Sequence, residues 1–409
     1  MKPRSRHPRT VGLLLPTALV LLAACSNAPA SDQRSRDAGA DDHGAITGAA
    51  EVAEPQLHLV SVDETGATSM LDLLTDEATD LDAVRPAESV TSDGRYVFSA
   101  DETGVDVVDS GVWTWDHTDH FHYYRAQPST VGRIAGRGTA TVSTGMLSTA
   151  GSTGVFFPGS GEAVLLDNAA LSRGRAKETF RLDVGPHEGL VAPLGDGAVV
   201  SEPGGRLRVV DAQGEQIGGT ECIAASGTIT TRVGLVVGCA DGAELLTLDG
   251  DEPVIERIPY PDGAAAPATS FSARKGRPTV AGLGDGSGIW LLDTRERSWQ
   301  WIQTDTPVVA ASAVDDADTH VVALGEDGTV QVYDGTSGEQ LSSTDSVLAS
   351  TLADPDLAPG VTLTVDAQRA YVNAAADGVV HEIDYADGAR VARSLRTPTR
   401  PVHVAETGR

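Results

Sequence analysis

The 409-residue chain carries 58 Asp and Glu against 30 Lys and Arg, for a formal net charge of −28, and only three cysteines. A surface so acidic repels polynucleotides and anionic headgroups and attracts cations, which excludes nucleic-acid partners. Beyond the first residues no stretch is apolar for long enough to cross a bilayer as a helix.

The chain opens on Lys2, Arg4, Arg6 and Arg9, followed by an apolar run from Val11 to Leu22. This is the layout of a secretion signal and is short for a membrane span. Leu22-Ala23-Ala24-Cys25 resembles a bacterial lipobox, so residues 1–24 are expected to be a lipoprotein signal peptide, cleaved before a lipidated Cys25. The mature protein is then expected at the extracytoplasmic face of the cell membrane, held only by that lipid. Residues 25–55 are rich in Ala, Asp, Ser and Gly and read as a flexible tether, with His43 as the one residue of metal chemistry in it.

Residues 56–409 form a repetitive all-β domain. Short apolar runs ending in aspartate recur, as in Val105–Asp109, Ala163–Asp167, Leu207–Asp211, Glu244–Asp249, Ile289–Asp293, Val330–Asp334 and Val380–Asp384. Leu57–Asp63 is counted as the first of the series. A period near forty to fifty residues, with glycine-bearing turns and no sustained 3.6-residue apolar period, predicts a β-propeller. Seven complete units start near residue 85. The remaining pieces, His58 to Leu74 and Pro401 to Glu406, predict an eighth blade that joins the two ends of the chain and closes the ring. Seven blades is the alternative count.

The densest chemistry lies in Trp115-Asp116-His117-Thr118-Asp119-His120-Phe121-His122-Tyr123-Tyr124. Imidazole and carboxylate are the ligands that zinc prefers. His120 and His122 are two apart, so on an extended segment they point to the same side. His122 precedes Val131–Ala135, read as the inner strand of the second unit. His187, next to Glu188, enters the inner strand Leu190–Pro193, and His403 sits on the inner strand of the closing blade. Convergence at the channel mouth would put His120 and His122 on one Zn2+ ion, with Asp119, His187, Glu188 or His403 completing it and His117 from the same run in the candidate set. His58, His320 and His381 read as packed or solvent-facing strand residues. Cys222 and Cys239 flank two short alternating runs. Outside the cytoplasm they are expected to form a disulfide, with thiolate metal ligation the lesser alternative. No nucleophile elbow, His-Glu-x-x-His helix or phosphate-cradling loop appears, so no enzymatic activity is expected.

Asp119–Arg125, Pro186–Gly189, Cys222 with Cys239–Gly242, and the ending His403–Gly408 together resemble the AztD family of extracytoplasmic zinc metallochaperones, along the chain from about residue 57 to its end. The resemblance implies a propeller that holds zinc and passes it to the solute-binding protein of a zinc ABC importer. Where the family carries His-Gly pairs, this chain has Glu188-Gly189 and Ser226-Gly227. The reading that emerges is a lipid-anchored, monomeric zinc metallochaperone. The alternative is a non-catalytic propeller scaffold binding a protein or cell-wall ligand without metal; a quinoprotein-type enzyme is disfavoured because no cofactor site is recognisable.

Overall fold

Each repeat of apolar run, turn and aspartate folds into one four-stranded antiparallel sheet, and eight such sheets form a propeller. The computed structural model describes residues 44–116, 120–264, 266–284, 286 and 288–409. The expected signal peptide, Cys25, most of the tether, His43, His117 and Asp119 lie outside these residues.

Blade one joins the two ends of the chain. Its inner strand is His403–Thr407, paired antiparallel to His58–Val62, then Thr68–Asp72 and Ala78–Leu81. The register matches Val62 with His403 and His58 with Thr407. Blade two comprises Ser89–Ser92, Tyr96–Asp101, Gly104–Asp109 and, after an insertion, Ser129–Ala135. Blades three to eight occupy 141–183, 191–221, 226–259, 270–303, 308–343 and 363–396. The expected eight-bladed ring with terminal closure is the observed one.

The middle strands are apolar on both faces because each sheet is packed between two others. Eight hydrophobic clusters fill the eight inter-blade seams, so the ring has no seam without a core. Val60, Met70 and Val97 join blades one and two. Phe98 and Val155 join two and three, and Leu165 and Val200 three and four. Val209 and Val237 follow, then Val236 and Val280, Ile289 and Val321, and Val332 and Val372. Leu59, Tyr371 and Val404 close the circle between blades eight and one. Each fully buried Val or Leu contributes about 1.5–3 kcal/mol.

The recurring aspartates have a local cause. Asp109, Asp293 and Asp334 end the third strand of their blades and Asp211 directly follows its own, and there a carboxylate oxygen accepts backbone N–H groups of the following turn. In blade one this position is Asp72, which accepts from Leu74 at 2.8 Å and Thr75 at 3.2 Å. Asp63, counted first in the series, instead follows the second strand and caps the turn before the third.

Small and hydroxyl side chains such as Thr91, Ser143, Thr228 and Thr364 line a central cavity of about 650 Å³. Blade four is set back from it. Its inner strand Val191–Leu194 is largely buried, and Thr228 Oγ1 of blade five donates to Ser143 Oγ of blade three at 3.0 Å.

Two expectations need correction. Val131–Ala135 is no inner strand: it belongs to Ser129–Ala135, the outermost strand of blade two, paired with Gly104–Asp109. A hairpin inserted between the third and fourth strands displaces it along the sequence, and the true inner strand of blade three is Thr141–Thr144. The tether also ends earlier than residue 55. Ala50–Val52 forms a strand on the inserted hairpin, because edge pairing satisfies backbone groups and needs no apolar side chains.

Candidate metal centre

The insertion in blade two is an antiparallel hairpin, Val112–Asp116 with Phe121–Arg125, to which Ala50–Val52 adds a third strand. The aromatic residues that favour strand formation here also divide its faces. Trp113 stacks on Tyr124 with centroids 5.2 Å apart, and Trp115 lies opposite His122. Trp113 Nε1 donates to the Gly44 carbonyl at 3.0 Å, which draws the incoming segment onto this aromatic face. Gly44 has φ +77°, and a Cβ there would lie 2.3 Å from the Trp115 ring, so only glycine fits.

His120 and His122 share this side. Their Nε2 atoms stand 3.1 Å apart, with ring centroids at 4.9 Å. Two nitrogens bound to one tetrahedral zinc stand about 3.3 Å apart when each Zn–N bond is about 2.0–2.1 Å, so the pair has the bite of a shared ion. The other nitrogen of His122, Nδ1, meets Glu51 Oε1 at 2.6 Å. That carboxylate fixes the ring so that Nε2 faces His120, the arrangement by which carboxylates orient metal-binding imidazoles. His120 and Glu51 are exposed and His122 is partly covered, so the pair is open to solvent.

The other sequence-selected residues are not gathered here. His187 Nδ1 donates to Gly185 O at 2.8 Å, Nε2 meets Ser201 Oγ at 3.0 Å, and the ring packs edge-on with Phe156. Glu188, beside it, is exposed. His403 lies on the innermost strand of blade one as expected, but its side chain is buried and Nε2 meets the Ala87 carbonyl at 3.1 Å. Burial holds its pKa below the ordinary histidine value, partly opposed by that hydrogen bond. The expected convergence on one ion rested on placing Val131–Ala135 at the channel. With that strand at the blade's outer edge, the shared register disappears. Ser226 Oγ donates to Ala268 O at 3.3 Å. Among the described residues no group of three or more His, Cys, Asp or Glu side chains is assembled as a metal cage; His117 and Asp119 lie outside them.

Glu51 went unnoticed in the sequence, where it sits in a stretch without motif or periodicity. Cys222 and Cys239 are joined as a disulfide with Cα atoms 5.2 Å apart. It ties the connection after the last strand of blade four, Gln216–Glu221, to the second strand of blade five, Leu235–Cys239.

These features define an eight-bladed β-propeller carrying an open histidine pair on an inserted flap. In sequence the chain is similar to the zinc chaperone AztD of Citrobacter koseri, with 28% identity over 198 residues that make up 45% of this chain and 46% of that one. The match thus spans just under half of that relative's length. No protein-family model matches the chain. In fold it is similar to apo AztD from Citrobacter koseri, with a TM-score of 0.74 at 20% identity, covering 87% of this chain and 98% of that one. A second crystal structure of Citrobacter koseri AztD gives 0.74 at 21%, covering 87% and 99%. Sqt1 of Chaetomium thermophilum, bound to the N-terminus of ribosomal protein L10, gives 0.52 at 11%, covering 78% and 94%. Sequence and fold together make this an AztD-like protein; at such identities the structural likeness establishes the propeller.

Proposed function

We propose that this protein binds zinc reversibly at His120 and His122 and hands it to a protein acceptor outside the cytoplasm, without chemical turnover. The observation that carries this reading is the 3.1 Å approach of the two Nε2 atoms, with Glu51 on the far nitrogen of His122. Two protein nitrogens in an open setting leave coordination positions for further ligands, His117 or Asp119 of the same sequence run among them. An incoming acceptor can enter those positions before the outgoing ligands leave, which is what transfer requires. The zinc chaperone AztD, similar over 198 residues, supports the choice of metal. The family resemblance suggests the solute-binding protein of a zinc ABC importer as acceptor. The lipobox-like Leu22-Ala23-Ala24-Cys25 supports attachment of a monomer to the outer face of the cell membrane through Cys25.

The test is zinc titration, by competition with a chromophoric chelator, of the soluble chain starting after Cys25 and of its His120→Ala/His122→Ala variant. One equivalent is expected to bind the parent and to be lost in the variant, with unchanged thermal stability. Binding that survives the double substitution would refute the site. A parent that binds no zinc would favour a scaffold that recognises a protein or cell-wall ligand.

A further inference from the structure

The strand Phe121–Arg125 alternates between two environments. Phe121 and Tyr123 point away from the histidine side and, with Leu57, wall a second chamber of about 630 Å³. Met146, Lys275 and Arg409 line both this chamber and the central cavity, so the chamber lies at one end of the channel.

Its remaining wall is cationic. Arg232, Arg274, Lys275, Arg277 and Arg409 face it against Asp116 and Asp366, in a protein of net charge −28. Three of the five come from Arg274-Lys275-Gly276-Arg277, the turn between the first two strands of blade six, Ser270–Ser272 and Thr279–Leu283. That turn is closed on itself and pinned to the blade on either side. Arg277 N–H donates to Arg274 O at 3.0 Å, Arg274 N–H to Ala313 O of blade seven at 2.8 Å, and Arg232 N–H of blade five to Gly276 O at 3.1 Å. The charges are therefore presented from a fixed backbone, which lowers the ordering cost of binding.

Four of the cations already have partners. Arg232 pairs with Asp116, Arg409 with Glu406 and Arg277 with Asp315, while Lys275 Nζ donates to Asp93 O at 2.6 Å. Arg274 is different. It is partly buried, and among the described residues its guanidinium makes no hydrogen bond or ion pair. Burial, and then the like charge of Arg277, pull its pKa below the usual arginine value, partly opposed by Tyr385, Asp315 and Asp316. A guanidinium kept in that state loses hydration that an arriving anion would offset. One cation without a hydrogen-bonding partner, set among several carboxylates, suits a single negative charge better than a dianion, and the Leu57, Phe121 and Tyr123 wall suits an apolar body.

We propose that this chamber binds an organic monocarboxylate, its carboxylate forked on Arg274 and its apolar part against Phe121 and Tyr123. A free acid and the C-terminus of a polypeptide ending in an apolar residue offer the same chemistry. Calorimetry of the full chain with N-acetylphenylalanine tests it, with N-acetylphenylalanine amide as the uncharged match. One site is expected, the amide binding about tenfold or more weakly, and Arg274→Gln weakening the acid by a similar factor because a charge-assisted pair is lost. Arg274 holds no other group, so the variant should keep the parent's thermal midpoint; Phe121→Ala, on the exposed side of the flap, should weaken acid and amide alike. Absence of saturable binding, equal binding of acid and amide, or an Arg274→Gln protein that binds like the parent would overturn the proposal. N-acetyl-Ala-Ala-Phe binding more tightly than N-acetylphenylalanine would assign the site to a polypeptide end, and equal or weaker binding to a free acid.

Discussion

The Arg95 guanidinium lies in a fork against the Asp109 carboxylate, Nε 2.9 Å from Oδ1 and Nη2 2.7 Å from Oδ2, with both side chains buried. Its face covers the Trp113 ring at 3.9 Å. Asp109 also accepts from Gly111 N–H at 2.9 Å, where the inserted hairpin departs. One ion pair thus sets both the exit of the hairpin and the seat of its first tryptophan.

Arg95→Ala should therefore loosen the flap as well as the fold. Removing one partner of a buried pair leaves an uncompensated charge and costs about 3–5 kcal/mol. The urea midpoint should fall accordingly. Hydrogen exchange should rise first in Val112–Asp116 and Phe121–Arg125; uniform exchange across all blades would disprove the anchoring role.

At the proposed zinc site, Glu51 would act on the metal through His122. Glu51→Gln should weaken zinc binding by about 10–100-fold, as loss of an orienting carboxylate typically does. Its side chain is exposed, so stability should stay within about 0.5 kcal/mol of the parent. Chelator competition reads the first quantity and thermal melting the second.

The Cys222–Cys239 bridge closes a short loop, with a sequence separation of 17. Replacing both cysteines by serine should cost about 3 kcal/mol, the magnitude expected when the unfolded chain regains a loop of this size. Urea titration under oxidising conditions checks it. Zinc binding should be unaffected, because the bridge lies in blades four and five and the histidine pair on the blade-two insertion.

Acid should weaken the closing blade. His58 is buried, and burial lowers its pKa; the Gln56 carbonyl and Asp72 oppose this and Arg125 adds to it. The unfolded chain takes up the His58 proton near pH 6.5, before the folded chain does. The stabilising contribution is thus present above about pH 6.5 and drains as pH falls toward the lower folded-state value. His403, shifted in the same direction, adds to the effect. Urea midpoints between pH 7.5 and 5 should decline less steeply in His58→Asn than in the parent; equal slopes would exclude His58 as a source.

The blade repeat was legible because its causes are local: an apolar third strand, a carboxylate that caps the next turn, and a glycine. The closing blade was legible as two unmatched ends. Radial position was not. Ser129–Ala135 alternates like an inner strand, and only its pairing with Gly104–Asp109 reveals it as outermost. Likewise, Asp63 and Asp72 both end apolar runs, and the sheet register alone identifies Asp72 as equivalent to Asp109. The His120/His122 spacing foretold two rings on one side, since period-two geometry is a property of the strand itself. Glu51 reaches His122 from 71 residues away by edge pairing, which leaves no trace in composition.

The pairing of His58 with Thr407 has a temporal meaning. The strand that completes blade one follows blades two to eight in the chain, so those seven must be synthesised before His58–Val62 finds its permanent neighbour. Until then His58–Val62 offers a bare edge, open to pairing with other chains. Partners so distant in sequence also make assembly slow. Any compartment that receives this protein unfolded must therefore shield an incomplete circle, and a nonsense change just before His403 would yield a chain that folds many blades yet never shuts.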